Sequence, residues 1–131
     1  MKLGLEPGMS YTTTEERQTP PTILAMGGGP PTYWIGDIVG TMERTARRWL
    51  TEYVEDDEQS VGVRVCVVRT EPIALGERIV ATATLRRVEG RRYHFDVTAA
   101  NERGEELGRG THERVIIRQR RFAGGGQRPD R

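Results

Sequence analysis

A chain of 131 residues suits a single domain and can bury a core without disulfides or metals to hold it together. Twenty Lys and Arg residues nearly balance nineteen Asp and Glu residues, for a formal net charge of +1, which argues against nucleic acid as the main partner. No signal peptide is apparent and no apolar run approaches the ~18 residues of a membrane span, so we expect a cytoplasmic protein with no membrane partner.

The first half of the chain combines a strand, a long connection and a helix. Residues 9–14 are β-prone, and the polar, then Pro- and Gly-rich residues 15–31 predict a long loop of the kind that often forms a lid. Residues 32–50 carry apolar side chains at i, i+3, i+4 and i+7, which predicts a helix capped by Thr32, with Asp37, Arg44 and Arg48 on its far face. The predicted buried stripe comprises Ile35, Ile38, Val39, Met42, Ala46, Trp49 and Leu50, with Trp34 at its edge.

The second half of the chain predicts four strands, at residues 61–69, 77–88, 91–100 and 106–118. Turns at residues 89–90 and 101–104 join the last three as hairpins, so the sheet is expected to be antiparallel. The fold class is therefore α+β, in a single domain over residues 1–122 followed by a disordered tail at residues 123–131. The core-facing strand residues are expected to be Ile79, Ala81, Ala83, Leu85, Tyr93, Phe95, Val97 and Ala99.

Glu43 is the strongest catalytic candidate on physical grounds. In helical projection it flanks the apolar stripe, and Gly36 and Gly40 lie beside it, two turns and one turn earlier. Glycine inside a helix costs about 1 kcal/mol relative to alanine, so two of them beside a carboxylate indicate that something approaches this surface closely. A partly desolvated glutamate can act as base or nucleophile, and the alternative is an edge glutamate paired with Arg47 at i+4.

Arg69, the two histidines and Cys66 are weaker candidates. Arg69 ends an apolar strand, either emerging to solvent or acting as an anion clamp. His94 is expected to face solvent, His112 to be structural, and Cys66 to be a small core residue. No Cys/His set has zinc-ligand spacing, so no metal is expected, and the P-loop, dinucleotide, GxSxG and HExxH motifs are absent. The predicted face of Arg69 is shared with Val61, Val63, Val65 and Val67.

A longer pattern runs through residues 70–117, TEPIALGERIVATATLRRVEGRRYHFDVTAANERGEELGRGTHERVII, in which VEGRR and GTHER are the most distinctive parts. Together with GLEPGMSYTTTEE (residues 4–16) and IGDIVGTMERTA (residues 35–46), it resembles the fluoroacetyl-CoA thioesterase-like hotdog family over nearly the whole chain. The resemblance implies a hotdog fold, with a long central helix wrapped by a five- to six-stranded antiparallel sheet. It also implies a homodimer or larger assembly, with the acyl-CoA site at the dimer interface near the start of the helix.

The resemblance also assigns residues to a site. Glu43 falls on the family's catalytic glutamate, Gly62 on a glycine that lines the acyl pocket, and Arg114 on an arginine implicated in the site. Gly36 is expected to contribute to substrate binding. No cofactor is implied, because the CoA thioester itself is the substrate or ligand.

Two of the family's three catalytic positions differ in this sequence. Ile35 replaces the threonine eight residues before the glutamate, and Arg69 replaces the histidine at the end of the preceding strand. Isoleucine has no hydroxyl, and arginine is never deprotonated and so cannot be a general base. Thr32, three residues before Ile35, is a candidate to supply the missing hydroxyl.

Three functions follow from this altered set. The first is a thioesterase for a small acyl-CoA or acyl-carrier thioester, in which Glu43 activates water or attacks the carbonyl. Arg69 would then stabilise the oxyanion or a substrate carboxylate. The alternatives are a protein that binds an acyl thioester without hydrolysis, or an enzyme for a hydration, cyclisation or proton transfer in the same pocket.

Overall fold

The computed structural model describes residues 1–18, 32–70, 76 and 78–118. The predicted tail at residues 123–131, and residues 19–31 of the predicted loop, lie outside the described residues. Strands and a helix follow in the order β1 (Ser10–Glu16), α1 (Ile35–Thr51), β2 (Glu58–Arg69), β3 (Arg78–Glu89), β4 (Arg92–Ala100) and β5 (Glu106–Arg118). No helix in these ranges is long and apolar enough to cross a membrane.

The five strands form one antiparallel sheet in the order β1-β3-β4-β5-β2, which confirms the α+β prediction. One face of the sheet packs against α1, and the alternation predicted for β3 and β4 is confirmed, since all eight core-facing residues are buried. Trp49 of α1 fills the centre of this layer, with its ring centroid 5.9 Å from those of Tyr11 and Phe95. The helix contributes Ile38, Met42, Ala46, Trp49 and Leu50 to the core.

The start of α1 differs from the prediction. Its N-cap residue is Trp34, which makes no side-chain capping bond, whereas Thr32 donates its hydroxyl to the carbonyl of Tyr33 at 3.1 Å. The predicted cap at Thr32 is therefore wrong. Trp34 and Ile35 are 53% and 42% exposed, so the buried stripe begins only at Ile38.

The far face of α1 is also less solvated than predicted, because β1 reaches over it. Asp37 is buried, and its Oδ1 accepts a hydrogen bond from the backbone N–H of Gln18 at 3.2 Å. Arg44 is half-buried and donates to the carboxylate of Glu15 at 2.8 Å. The prediction that Asp37 lies on a solvent-exposed far face of the helix is therefore wrong, because Asp37 is buried.

A bulge in β2 overturns the predicted strand face. The register with β5 shifts between Gly62 and Arg64, so that Val61 pairs with Val115 and Arg69 pairs with Gly108. An extra residue in a strand moves every later side chain to the opposite face. Val61 consequently lies on the outer face of the sheet, which is the face turned away from α1. The later valines at 65 and 67 share the helix-side face with Arg69.

Two residues of the outer face differ from prediction. Cys66 pairs with Thr111 there and is exposed, so it is not a core residue. His94 is buried rather than solvated, because carboxylates cover it: its Nε2 lies 2.7 Å from Glu89 and its Nδ1 lies 3.7 Å from Glu113.

Candidate active site

A cavity of about 260 Å³ opens between the middle of α1 and the paired strands β2 and β5. Helix periodicity places Gly40, Glu43 and Arg47 on one side of α1, because residues three and four apart share a face. The opposite wall comes from the strand pair, where Gly62 and Arg114 are direct partners in the β2–β5 register. The lining comprises Gly40, Glu43, Arg44, Arg47, Gly62 and Arg114.

The carboxylate of Glu43 is half-buried at this cavity. Among the residues that the structure describes, no cation lies within 4 Å of it and no donor bonds to it. The i+4 ion pair with Arg47 is therefore not formed, and the arginine one residue after Glu43, Arg44, bonds instead to Glu15. An ionisable carboxylate without a partner, at the wall of a cavity, is placed to act on a bound molecule.

Gly62 leaves the space in which three functional side chains converge. A Cβ added at Gly62 would lie 3.2 Å from Glu43 Oε2, 3.2 Å from Arg114 Nη1 and 3.2 Å from His112 Cε1. Any side chain here would press on all three groups at once. Gly62 therefore lies beside Glu43 at the cavity wall. Its predicted role in lining an acyl pocket stays a prediction.

Arg114 is buried, and a histidine helps to hold it. His112 Nδ1 lies 2.8 Å from the carbonyl of Arg64, which can only accept, so Nδ1 carries the proton and Nε2 accepts from Arg114 Nη1 at 3.2 Å. Burial lowers the pKa of His112, and the nearby charge of Arg114 lowers it further, so the ring is neutral at pH 7. The remaining bonds of Arg114 run from Nε to the Ser60 hydroxyl at 2.9 Å and from Nη2 to the Ser60 carbonyl at 3.2 Å.

The charges around Arg114 act in opposite directions. Burial lowers the pKa of its guanidinium, Glu43 raises that pKa, and Arg47 lowers it. Arginine stays protonated under these conditions, so the buried end of the cavity carries a full positive charge.

The structure places Arg69 away from Glu43. Its guanidinium donates to the Thr32 hydroxyl and to the carbonyl of Tyr33, and thereby holds the segment that leads into α1. Arg69 lines a separate, open cavity of about 830 Å³ beside β2, β4 and β5, together with Cys66 and other residues. Thr32 and Arg69 are therefore brought together, but not with Glu43.

Ile35 and Gly36, also predicted for the site, do not line the Glu43 cavity. Ile35 begins α1, about 12 Å along the helix axis before Glu43. A Cβ at Gly36 would lie 2.8 Å from the Trp34 ring, so the group that approaches this glycine closely is an indole of the same chain.

Sequence reasoning missed the cavity role of Arg47 and Arg44 and the hydrogen-bonding role of His112. Arg47 lies four residues after Glu43, and that spacing alone places the two on one helix face. The role of His112 carried no comparable signal, because it depends on the β2 bulge that brings the Arg64 carbonyl opposite the ring.

A family model described as "Fluoroacetyl-CoA-specific thioesterase" matches residues 18–120 of the chain. A fluoroacetyl-CoA thioesterase from Streptantibioticus cattleyicolor is 39% identical over 93 residues, which is 71% of this chain and 66%, just under two thirds, of that relative's length. A solved structure of the fluoroacetyl-CoA thioesterase FlK superimposes with a TM-score of 0.77 at 31% identity, covering 93% of this chain and 95% of that one.

The hotdog architecture extends to more distant structures. A hot-dog-like protein from Thermanaerovibrio acidaminovorans has a TM-score of 0.73 at 24% identity, over 93% of this chain and 94% of that one. The predicted hotdog fold is confirmed by these similarities.

Proposed function

We propose, since this chain belongs to the fluoroacetyl-CoA-specific thioesterase family, that it hydrolyses a small acyl-CoA or acyl-carrier thioester with Glu43 as general base. The observation that carries the proposal is the unpaired, half-buried carboxylate of Glu43 at a cavity of about 260 Å³. A structural glutamate in this position would be expected to have a cationic partner, and two arginines on its own helix are near enough in sequence to supply one.

In the proposed reaction, Glu43 takes a proton from a water molecule as the water oxygen bonds to the thioester carbonyl carbon. Collapse of the tetrahedral intermediate breaks the carbon–sulfur bond. The departing thiolate then takes up the proton held by Glu43, which leaves a carboxylic acid and a free thiol. Gly62 supports this role, since its missing side chain leaves room for the acyl group beside the carboxylate.

The proposed catalytic set differs from the one that the resemblance suggests. Ile35 and Arg69 stand where the family has a threonine and a histidine, and the contacts of Arg69 with Thr32 and Tyr33 support a positioning role for it. We therefore assign the acid–base chemistry to Glu43 alone, with Arg114 as its charged neighbour across the cavity.

A homodimer is part of the proposal. β2 lies at the edge of the sheet, and edge strands offer unpaired backbone groups to another chain. Val63 and Val68 on this strand are exposed at 46% and 63%, and Val65 on its helix-side face is exposed at 39%, so a second copy that pairs with this edge would cover apolar side chains on both faces of the strand. Light scattering should give the mass of a dimer, and Val63→Arg should shift it toward the monomer. Val88→Arg, at an exposed apolar position of β3, is the control.

The decisive experiment is to measure thiol release from a panel of acyl-CoA thioesters near pH 7. Glu43→Gln should lower kcat/KM at least a hundredfold, which is the low end of the contribution of a general base. Glu52→Gln, at an exposed position after the end of the same helix, should leave it unchanged. Retention of activity in Glu43→Gln would remove the basis of the proposal.

A second candidate is binding without hydrolysis, favoured by the isoleucine and arginine at positions 35 and 69. In that case calorimetry would show acyl-CoA binding to a folded protein that releases no thiol. A different reaction in the same pocket would appear as a new product that is lost in Glu43→Gln.

A further inference from the structure

The cavity beside Glu43 has an excess of positive charge. Three of its six lining residues are arginines and one is a glutamate. Arg44 is neutralised by Glu15 at 2.8 Å, but within the described ranges no carboxylate lies within 4 Å of Arg47 or Arg114. The cations of Arg47 and Arg114 and the carboxylate of Glu43 together give the proposed substrate cavity a net charge of one positive unit. An anionic group on the substrate would balance it.

Arg114 still has donors to offer. A guanidinium carries five N–H groups, and those bonded to protein go to Ser60 twice and to His112 once. Two N–H groups therefore have no partner among the described residues, although Arg114 is only 5% exposed. Nη1 carries one of these two N–H groups and lies 3.2 Å from where a Cβ on Gly62 would stand, beside Glu43 Oε2. Buried donors are nearly always satisfied, so a donor at this cavity wall indicates an acceptor that the bound molecule brings.

Arg47 supplies the second half of the cluster, from the solvent side. It is exposed and lies one helical turn after Glu43, facing the same cavity as Arg114. The two cations repel each other, and the charge of Arg47 therefore lowers the pKa of Arg114. Two like charges at one cavity repel each other, and a carboxylate between them would turn that repulsion into attraction.

We infer, on the basis of the proposed hydrolysis, that the acyl group of the substrate carries its own free carboxylate. The substrate class is a thioester of a short dicarboxylic acid, with the distal carboxylate held by Arg47 and Arg114 and the thioester carbonyl beside Glu43. The cavity of about 260 Å³ corresponds to roughly nine water molecules, which is room for an acyl group of a few carbons.

The test compares thioesters of matched chain length that differ only in the carboxylate: succinyl-CoA against butyryl-CoA, and malonyl-CoA against propionyl-CoA. The dicarboxylic member of each pair should have a kcat/KM about ten- to a hundredfold higher, the range expected for a charge-assisted hydrogen bond. The methyl ester of succinyl-CoA keeps the succinyl carbon chain but removes its negative charge, and it should behave like butyryl-CoA.

Arg47→Gln is the informative variant, since Arg114 is buried and its loss would disturb the core. It should lower the succinyl-to-butyryl ratio of kcat/KM about tenfold. Arg48→Gln, at the neighbouring exposed position outside the cavity, should keep the ratio. Equal rates within each pair, or an Arg47→Gln loss that is the same for both members, would overturn the inference. The second result would mean that Arg47 binds the CoA moiety.

A thioether analogue of each thioester separates this inference from the proposed hydrolysis. If no thioester is cleaved but the succinyl-type thioether binds tighter than the butyryl-type one by calorimetry, the hydrolysis proposal fails and the anion preference stands. If butyryl-CoA and succinyl-CoA are cleaved with equal kcat/KM, the hydrolysis proposal stands and the anion preference fails.

Discussion

Acid should destabilise this protein through one buried carboxylate, Glu58 at the start of β2. Glu58 is 4% exposed, and its Oε1 accepts the backbone N–H of Glu55 at 3.0 Å. Arg91 Nη2 lies 2.8 Å from Oε2, and the Met1 ammonium lies 2.9 Å from Oε1. The hydrogen bond from Glu55, followed by those from Arg91 and Met1, lowers the pKa of Glu58 from 4.5 to about 2, against the opposing effect of burial.

The size of the effect follows from this depression. Each pKa unit corresponds to about 1.4 kcal/mol, so a fall from 4.5 to about 2 stabilises the folded state by about 3 kcal/mol. The folded-state pKa is the lower one, so the unfolded chain takes up the proton first as the pH falls. The stabilisation is complete above about pH 4.5 and is lost as the pH falls through that value toward about 2.

The contribution of Glu58 to the free energy of unfolding can be measured by urea denaturation at several pH values between about 6 and 3. Glu58→Gln should lower the free energy of unfolding by about 3 kcal/mol near pH 6, and the gap from the wild type should shrink by more than half near pH 3. Asp57→Asn is the control, because the side chain of Asp57 is 41% exposed and pairs at the surface with Arg118. A gap that is the same at both pH values would refute this reasoning.

Three other predictions address the strands and the altered site. Gly110→Ala would drive a Cβ into the Cys66 carbonyl oxygen, so we expect the free energy of unfolding measured by urea denaturation to fall by about 3 kcal/mol. Gly62→Ala would narrow the space beside Glu43, so kcat/KM should fall about tenfold or more, and it should fall further for longer acyl groups. If the dependence of kcat/KM on acyl chain length stayed unchanged, that would argue against an acyl pocket at Gly62. Ile35→Thr and Arg69→His should leave kcat/KM for the acyl-CoA panel unchanged, because neither position lines the Glu43 cavity, and a gain of about tenfold or more would show that these positions act on the bound thioester after all.

The two cavities change how Arg69 is understood. A histidine-to-arginine replacement at a catalytic position first suggests an anion clamp, but its contacts with Thr32 and Tyr33 tie the side chain to the entrance of α1. The role of anion clamp, one of the two alternatives for Arg69, is the one we propose for Arg47 and Arg114. These two arginines face the same cavity as Glu43, whereas Arg69 does not.

Local patterns in the amino-acid sequence were enough to predict the layer architecture. The alternation in residues 79–85 and 93–99 and the helical stripe from Ile38 to Leu50 appear as predicted, because each follows from the fixed geometry of one element. The position of Glu43 beside the stripe follows in the same way. Gly62 and Arg114 entered as candidates through the family resemblance, and the structure places both opposite Glu43.

What escaped the sequence depends on contacts between elements. The bulge between Gly62 and Arg64 reverses the faces of β2, and only pairing with β5 reveals it. The same holds for the burial of His94 beneath two carboxylates and for the choice of Glu15 rather than Glu43 as the partner of Arg44. A side chain near several possible partners takes the one that packing brings closest, and that choice is made only when the helix lies on the sheet.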